Sequence, residues 1–175
     1  MSLDLSNIES NIKSKRKAKF QGMFRAPGVL GSLACLALFM PFVLETCGKS
    51  TLESYHAFDI ATTNTPQAGP KHALLAWGII LLSLSIWAWY LLPKKLRKAA
   101  PVVNSILGIG LATTLWASIL VNPGPWFKDQ PDTNEESNHS IEAGFGLVTN
   151  LICHVAYLGF GLWLLSSGAS KNKKV

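Results

Sequence analysis

The sequence predicts an all-α integral membrane protein: a four-helix bundle with both termini in the cytoplasm and two extracytoplasmic loops. Only 15% of its 175 residues are charged, whereas a soluble domain usually carries about 25%. Four apolar runs without any charge, residues 27–44, 73–92, 101–121 and 144–166, are each long enough as helices to cross about 30 Å of hydrocarbon. Because backbone groups cannot stay unpaired in lipid, each run is expected to be a spanning helix.

The distribution of charge predicts the orientation. Residues 1–26, 93–100 and 167–175 hold 13 of the 16 basic residues, and residues 45–72 and 122–143 hold eight of the ten acidic ones. Basic residues beside spans stay in the cytoplasm. The net charge of +6 therefore reflects topology and contact with anionic lipid headgroups, and it does not indicate nucleic-acid binding.

The segment before the first span, residues 1–26, is a basic amphipathic stretch on the cytoplasmic side. Ser6 and Glu9 have the spacing of a capping box, and Leu5, Ile8 and Ile12 follow helical spacing. Two alternatives stay open: a helix lying on anionic lipid, or a short tail that only sets topology.

The first span, residues 27–44, contains Pro41, which is expected to bend the helix near its outer end. Glu45 and Thr46 occupy positions where a lipoprotein signal needs small residues before Cys47, so the span is expected to be retained. In the outer loop 45–72, the pattern S50-T-L-E53 favours a short helix on the membrane surface.

The other spans have distinct ends. In the second, 73–92, aromatic residues cluster at the inner boundary, and Pro93 opens the inner loop 93–100. In the third, 101–121, Gly108 and Ala112 lie on one face and permit close helix approach. The outer loop 122–143 is rich in turn residues and acids, and the outer acids are expected to be solvated. The fourth span is 144–166, followed by the cytoplasmic tail 167–175.

A short part of the chain, P41-F-V-L-E-T-C-G48 followed by H56-A-F-D-I-A-T62, resembles small multi-span bacterial inner-membrane proteins of unassigned function. The resemblance covers about 25 residues. It implies the cytoplasmic (inner) membrane of a bacterium and no particular activity.

The candidate site is a polar layer in the middle of the membrane. Asn150, Cys153, His154 and Tyr157 share one face of the fourth span. The other spans bring Cys35, Ser83 and Thr114 to about the same depth. If these faces turn inward, the side chains meet.

Several interpretations of this layer compete. Hydrogen bonding between helices is favoured, because neutral histidine and hydroxyl groups commonly serve that purpose. A proton or substrate site at His154 is the second, although no span contains a carboxylate or basic partner. The third is a metal or haem bound by His154 and the thiols of Cys35 and Cys153. Haem b in such a bundle usually takes two axial histidines, and only one lies in a span. Lipid or quinone binding is the last. No cofactor and no metal are expected.

The cysteines and the missing catalytic sets restrict the function. Cys47 is the only cysteine in an outer loop, which excludes a thiol oxidase that needs cysteine pairs there. No Ser–His–Asp set, P-loop or pair of catalytic carboxylates is expected to lie where its members could act together. The expected function is a non-catalytic interaction or accessory subunit, whose partners are other membrane proteins or a second copy. The alternative is a small transporter or proton-coupled permease centred on His154.

Overall fold

The computed structural model describes residues 25–47, 50–62, 70–93, 95–121 and 139–169. Three helices, Pro70–Leu91, Ala100–Val121 and Phe145–Ser167, are long and apolar enough to cross a membrane. The mainly helical fold and the multi-pass membrane class predicted from the sequence are therefore confirmed. The predictions for residues 1–24 and 122–138, and for the end of the tail, lie outside the described residues.

The elements follow the chain in a simple order. They are helix α1 (described part Arg25–Ala37), strand β1 (Pro41–Cys47), strand β2 (Ser50–His56), helix α2 (Ala57–Ala61), helix α3 (Pro70–Ala88), 3-10 turns at Trp89–Leu91 and Leu96–Lys98, helix α4 (Ala100–Val121), strand β3 (His139–Ala143) and helix α5 (Phe145–Ala169). The last three apolar runs thus form helices close to their expected bounds.

The four longer helices pack as a bundle. Helix α4 packs against both α3 and α5. Helix α1 contacts the 3-10 turn that follows α3, where the Gly28 backbone N–H donates to the Tyr90 hydroxyl at 3.0 Å. It also contacts α5, because the Ala34 carbonyl accepts a 3.4 Å hydrogen bond from Asn150. Large apolar side chains cover the outside of all four helices, as expected for surfaces that face lipid.

A three-stranded antiparallel sheet departs from the all-α prediction. Its strand order is β2-β1-β3, so the central strand pairs with one strand from each of the two predicted loops. Val43 of β1 lies opposite Tyr55 of β2 and Ala143 of β3. The sheet therefore joins two parts of the chain that are separated by α3 and α4.

The first apolar run is not one helix, and the prediction of a bent helix through residue 44 is wrong. The helix ends at Ala37, and i→i+3 bonds from Leu38, Phe39 and Met40 close its last turn. Pro41 has no N–H to donate, and it disfavours helical backbone at Met40. The chain then continues as β1, whose backbone groups pair with neighbouring strands.

The short helix expected from residue 50 is also misplaced. Residues 50–56 form β2, and α2 begins only at Ala57. Asp59 caps it, because its Oδ2 accepts from the backbone N–H of His56 at 2.9 Å and lies 2.9 Å from Nδ1 of the same residue. The S-x-x-E pattern was therefore part of a strand, where Glu53 has a cross-strand partner.

Two glycines let the start of α5 approach the end of α1. A Cβ built on Gly146 would lie 2.5 Å from the Met40 carbonyl oxygen and 2.6 Å from that of Ala37. A Cβ on Gly144 would collide with the Pro41 carbonyl. Because these neighbours are backbone atoms, larger residues cannot be accommodated by side-chain movement.

At the opposite end of the bundle, Arg97 organises the turn between α3 and α4. Its Nε donates to the Leu92 carbonyl at 2.7 Å and its Nη2 to that of Tyr90 at 2.6 Å. Its own carbonyl accepts from Trp89 Nε1 at 2.9 Å, and its guanidinium lies over the Trp89 ring. Trp89 is consequently buried, although it is one of the aromatic residues clustered at the inner boundary of the second span.

Candidate functional site

The centre of the bundle contains a hydrogen bond that links three helices. Asn150 of α5 and Ser83 of α3 are both fully buried. The Asn150 Nδ2 donates to Ser83 Oγ at 2.9 Å and to the Ala34 carbonyl of α1 at 3.4 Å. The Ser83 hydroxyl in turn donates to the Ile79 carbonyl at 2.8 Å. One amide therefore ties α1, α3 and α5 together.

His154, one turn beyond Asn150, is fully buried against α4. A Cβ built on Gly108 would lie 2.5 Å from both Nδ1 and Cε1 of the imidazole, and 2.7 Å from Nε2. The nitrogen-bearing edge of the ring therefore occupies the space that the missing side chain of Gly108 leaves. Close approach at glycine is typical of helix crossings in membranes.

Some polar atoms in this region have no partner among the described residues. They are both ring nitrogens of His154, Oδ1 of Asn150 and Oγ of Ser105. Leaving a buried polar group without a hydrogen bond costs about 1–3 kcal/mol. All of these atoms belong to α4 and α5, within one turn of Gly108 or His154.

The expected polar layer forms only in part. Asn150, Ser83 and His154 are all in the interior, and Cys153 and Tyr157 are buried beside them on α5. Cys35 is half-buried, and both it and Cys153 are free thiols. Thr114 instead lies on the exposed side of α4, where its hydroxyl donates to the Gly110 carbonyl at 2.7 Å.

Two polar residues of α4 that the sequence interpretation left out of the site are buried or half-buried. Ser105 is fully buried on α4, one turn from Gly108. Asn104 donates to the Leu82 carbonyl at 3.2 Å and to the Ser85 hydroxyl, which links α4 to α3. Both residues lie near the small residue Gly108 in the third run, and this position could have predicted that they face another helix.

The sheet contains a second polar group. Glu45 of β1 lies opposite Glu53 of β2, and the Tyr55 hydroxyl donates to Glu53 Oε2 at 2.7 Å. Burial, followed by that hydrogen bond, raises the pKa of Tyr55, so the hydroxyl keeps its proton and acts as a donor. Glu45 is only 1% exposed, so the expectation that the outer acids are all solvated is wrong for this residue.

The chemistry that these groups support is limited. Across the described residues, no three His, Cys, Asp or Glu side chains are grouped in a way that could hold a metal ion. The interior amide and hydroxyl groups mainly bond helices to one another. In the sheet, Glu53 accepts a hydrogen bond from Tyr55. Comparisons with protein-family models, with curated proteins and with solved structures found no match.

Proposed function

We propose that the chain is a four-span protein of the bacterial inner membrane that acts as a non-catalytic interaction or accessory subunit. In this proposal both termini are cytoplasmic, and the sheet lies on the extracytoplasmic side. The asymmetry of basic residues supports the orientation, and the resemblance to bacterial inner-membrane proteins supports the location. The partner is another integral membrane protein or a second copy of the chain.

The observation that carries this proposal is the sheet, which the bundle holds in place at one end. Its two outer strands, β2 and β3, each have one edge that no described strand covers. Ser54 and Glu142 lie on the sheet as exposed polar residues, on either side of Leu44. Open strand edges are surfaces to which another chain can add by backbone hydrogen bonds.

The interior supports the non-catalytic part of the proposal. The Asn150 side-chain amide donates hydrogen bonds to the Ser83 hydroxyl and to the Ala34 carbonyl. Such bonds hold helices together and leave the groups unavailable for a substrate. The protein's contribution is then the rigid presentation of the sheet.

The orientation is tested with reporter fusions. We expect reporters placed after residue 60 and within residues 128–140 to report the extracytoplasmic side, and those at 96 and 175 to report the cytoplasm. The reason is the segregation of basic residues. A cytoplasmic signal from either loop would contradict the orientation and leave the sheet on the other side.

The binding surface is tested by photo-crosslinking in cells. A photoreactive amino acid replaces Ser54 or Glu142 in separate variants, and Leu162, which is 54% exposed on α5, serves as the control on a lipid-facing helix. We expect a discrete adduct from the two sheet positions only, identified by mass spectrometry as a membrane protein or as a second copy. Equal labelling from all three positions, or none from the sheet, would contradict binding through the sheet.

A second candidate function is a small transporter or proton-coupled permease centred on His154. It is favoured by one observation: neither ring nitrogen of this buried histidine has a partner among the described residues. Buried ionisable residues in spans often serve transport. The test is proton flux in proteoliposomes of the natural protein and of His154→Ala, with Leu115→Ala as a control at another fully buried position. Flux that only His154→Ala abolishes would favour transport, whereas no flux above that of protein-free vesicles would eliminate it.

A further inference from the structure

The base of the sheet packs beside a spanning helix and not beyond its end. Ile79 and Ile80 are near the middle of the span Pro70–Leu91. They belong to one buried cluster with Val43 of β1 and Ile60 of α2. Helix α2 packs against α3, and the start of β1 belongs to the same buried cluster as the middle of α3.

Helix α1 accounts for only the other half of the membrane. The uncharged part of its helix, from Pro27 to Ala37, has 11 residues and rises about 16 Å, whereas the hydrocarbon is about 30 Å thick. Gly28 bonds to Tyr90, which places it at the far end of α3 from the sheet. Residues other than those of α1 must therefore cross the remaining part of the hydrocarbon on this side of the bundle.

Extended backbone is tolerated at membrane depth when its polar groups are paired inside the protein. Strand β1 meets this requirement, because it is the central strand and pairs on both sides. Phe42 and Val43 at its start are 0% and 1% exposed. The strand therefore exposes neither its backbone nor these side chains to lipid.

The surface in front of the strand is apolar and continues the outer face of α1. The exposed side chains of Leu33 and Leu36 lead into Phe39, which is 68% exposed, and Met40. Phe58 of α2 completes this surface, with its ring centroid 5.4 Å from that of Phe39. An exposed apolar surface that continues a lipid-facing helix is best covered by lipid.

We infer that α1, β1 and α2 together form a composite span, in which Phe39, Met40 and Phe58 contact the acyl chains of the leaflet on the sheet side. The His56–Asp59 pair, with 2.9 Å between Nδ1 and Oδ2, then lies at headgroup level. Its side chains are 39% and 45% exposed, and their pairing reduces the cost of charge at that depth. Thr46 and Ser140, which bond to each other at 2.8 Å, lie on the water side.

The first test places spin labels in the protein in lipid nanodiscs. Single cysteines replace Phe39 or Phe58 in a background in which Cys35, Cys47 and Cys153 are replaced by alanine or serine. Leu81, 61% exposed on α3, is the reference for lipid, and Ser54 is the reference for water. We expect the labels at Phe39 and Phe58 to collide severalfold more with oxygen than with a water-soluble nickel chelate, at a depth between the two references. Labels that match Ser54 would overturn the inference.

A second measurement needs no substitution. Backbone amide signals of the natural protein are recorded by NMR with a nitroxide on the lipid acyl chain, and then with a soluble gadolinium chelate. We expect the nitroxide to broaden Phe39 and Phe58 and the chelate to broaden Ser54. The opposite pattern would show that the turn and α2 lie in water, and the composite span would be wrong.

Discussion

The first and fourth apolar runs resemble each other as sequences and fold differently. Residues 27–44 and 144–166 both lack charge, and both are long enough to cross a membrane as helices. The fourth becomes a single helix, Phe145–Ala169, whereas the first changes from helix to strand after Ala37. Only the first run has a proline in its interior, at position 41.

The difference shows that an uncharged apolar run specifies removal from water and does not specify backbone conformation. A helix pairs its backbone groups within the run, so the fourth run needs no partner. A strand needs neighbours, and the first run finds them in β2 and β3. Pro41 prevents the helix from continuing, and β2 and β3 provide the hydrogen-bond partners that let the chain continue as a strand.

The two runs meet where α1 ends against the start of α5, and Gly146→Ala tests that contact. The added Cβ would lie 2.5 Å and 2.6 Å from two backbone oxygens of the first run. We expect a loss of about 3 kcal/mol in the free energy of unfolding, since backbone atoms cannot move aside. The measurement is unfolding in mixed micelles of a mild detergent and dodecyl sulfate.

The matched control is Gly159→Ala, on the same helix. No atom lies within 4 Å of the added Cβ, so this change should leave stability equal or raise it by up to about 1 kcal/mol through helix propensity. Equal effects at the two glycines would mean that the close approach of the runs contributes nothing to stability.

The fourth run also depends on the size of its neighbour on α4, which Gly108→Ala tests. The new methyl group would lie 2.5 Å from the His154 ring, and we expect a loss of about 2 kcal/mol. His154→Ala removes the ring that is overlapped, so the double variant should be more stable than the sum of the two single effects predicts. The measurement is thermal or denaturant unfolding of the single and double variants. Additive losses of stability would contradict direct packing of the His154 ring against Gly108.

The polar link between the fourth run and α3 is tested by a double-mutant cycle. Asn150→Ala and Ser83→Ala each remove one partner of the 2.9 Å bond. We expect a coupling free energy of about 1 kcal/mol, the usual size for hydrogen bonds between membrane helices. Asn150→Ala with Ser85→Ala is the control, because Ser85 bonds to Asn104 and not to Asn150; coupling of the same size there would contradict a specific bond.

The smallest effect is expected at the thiols, one in each run. Replacing Cys35 and Cys153 by alanine should cost no more than about 1 kcal/mol, since each change removes a single sulfur atom. We expect membrane abundance and any phenotype of the deletion to be unaffected, because buried thiols act as small apolar groups. Normal abundance together with the deletion phenotype would instead indicate a redox or ligand role for Cys153 and His154.

Part of the candidate site was predictable because helical spacing is local. The positions of Asn150, Cys153, His154 and Tyr157 on one face follow from their intervals, and all four are buried on α5. Counting residues from the ends of each run was less informative. It placed Thr114 in the layer, whereas the side chain lies on the exposed face of α4.

The sequence alone determined which segments leave water, and it placed the last three of them correctly as long helices. Absence of charge and run length decide which segments leave water. Hydrogen bonds within a run allow it to form a helix there. Only the tertiary structure decided that β1 pairs with β3, almost 100 residues further along the chain. It also decided that Glu45 is buried and that Gly108 makes room for His154. The physical reason is that these features depend on the approach of distant backbone segments, which no local periodicity encodes.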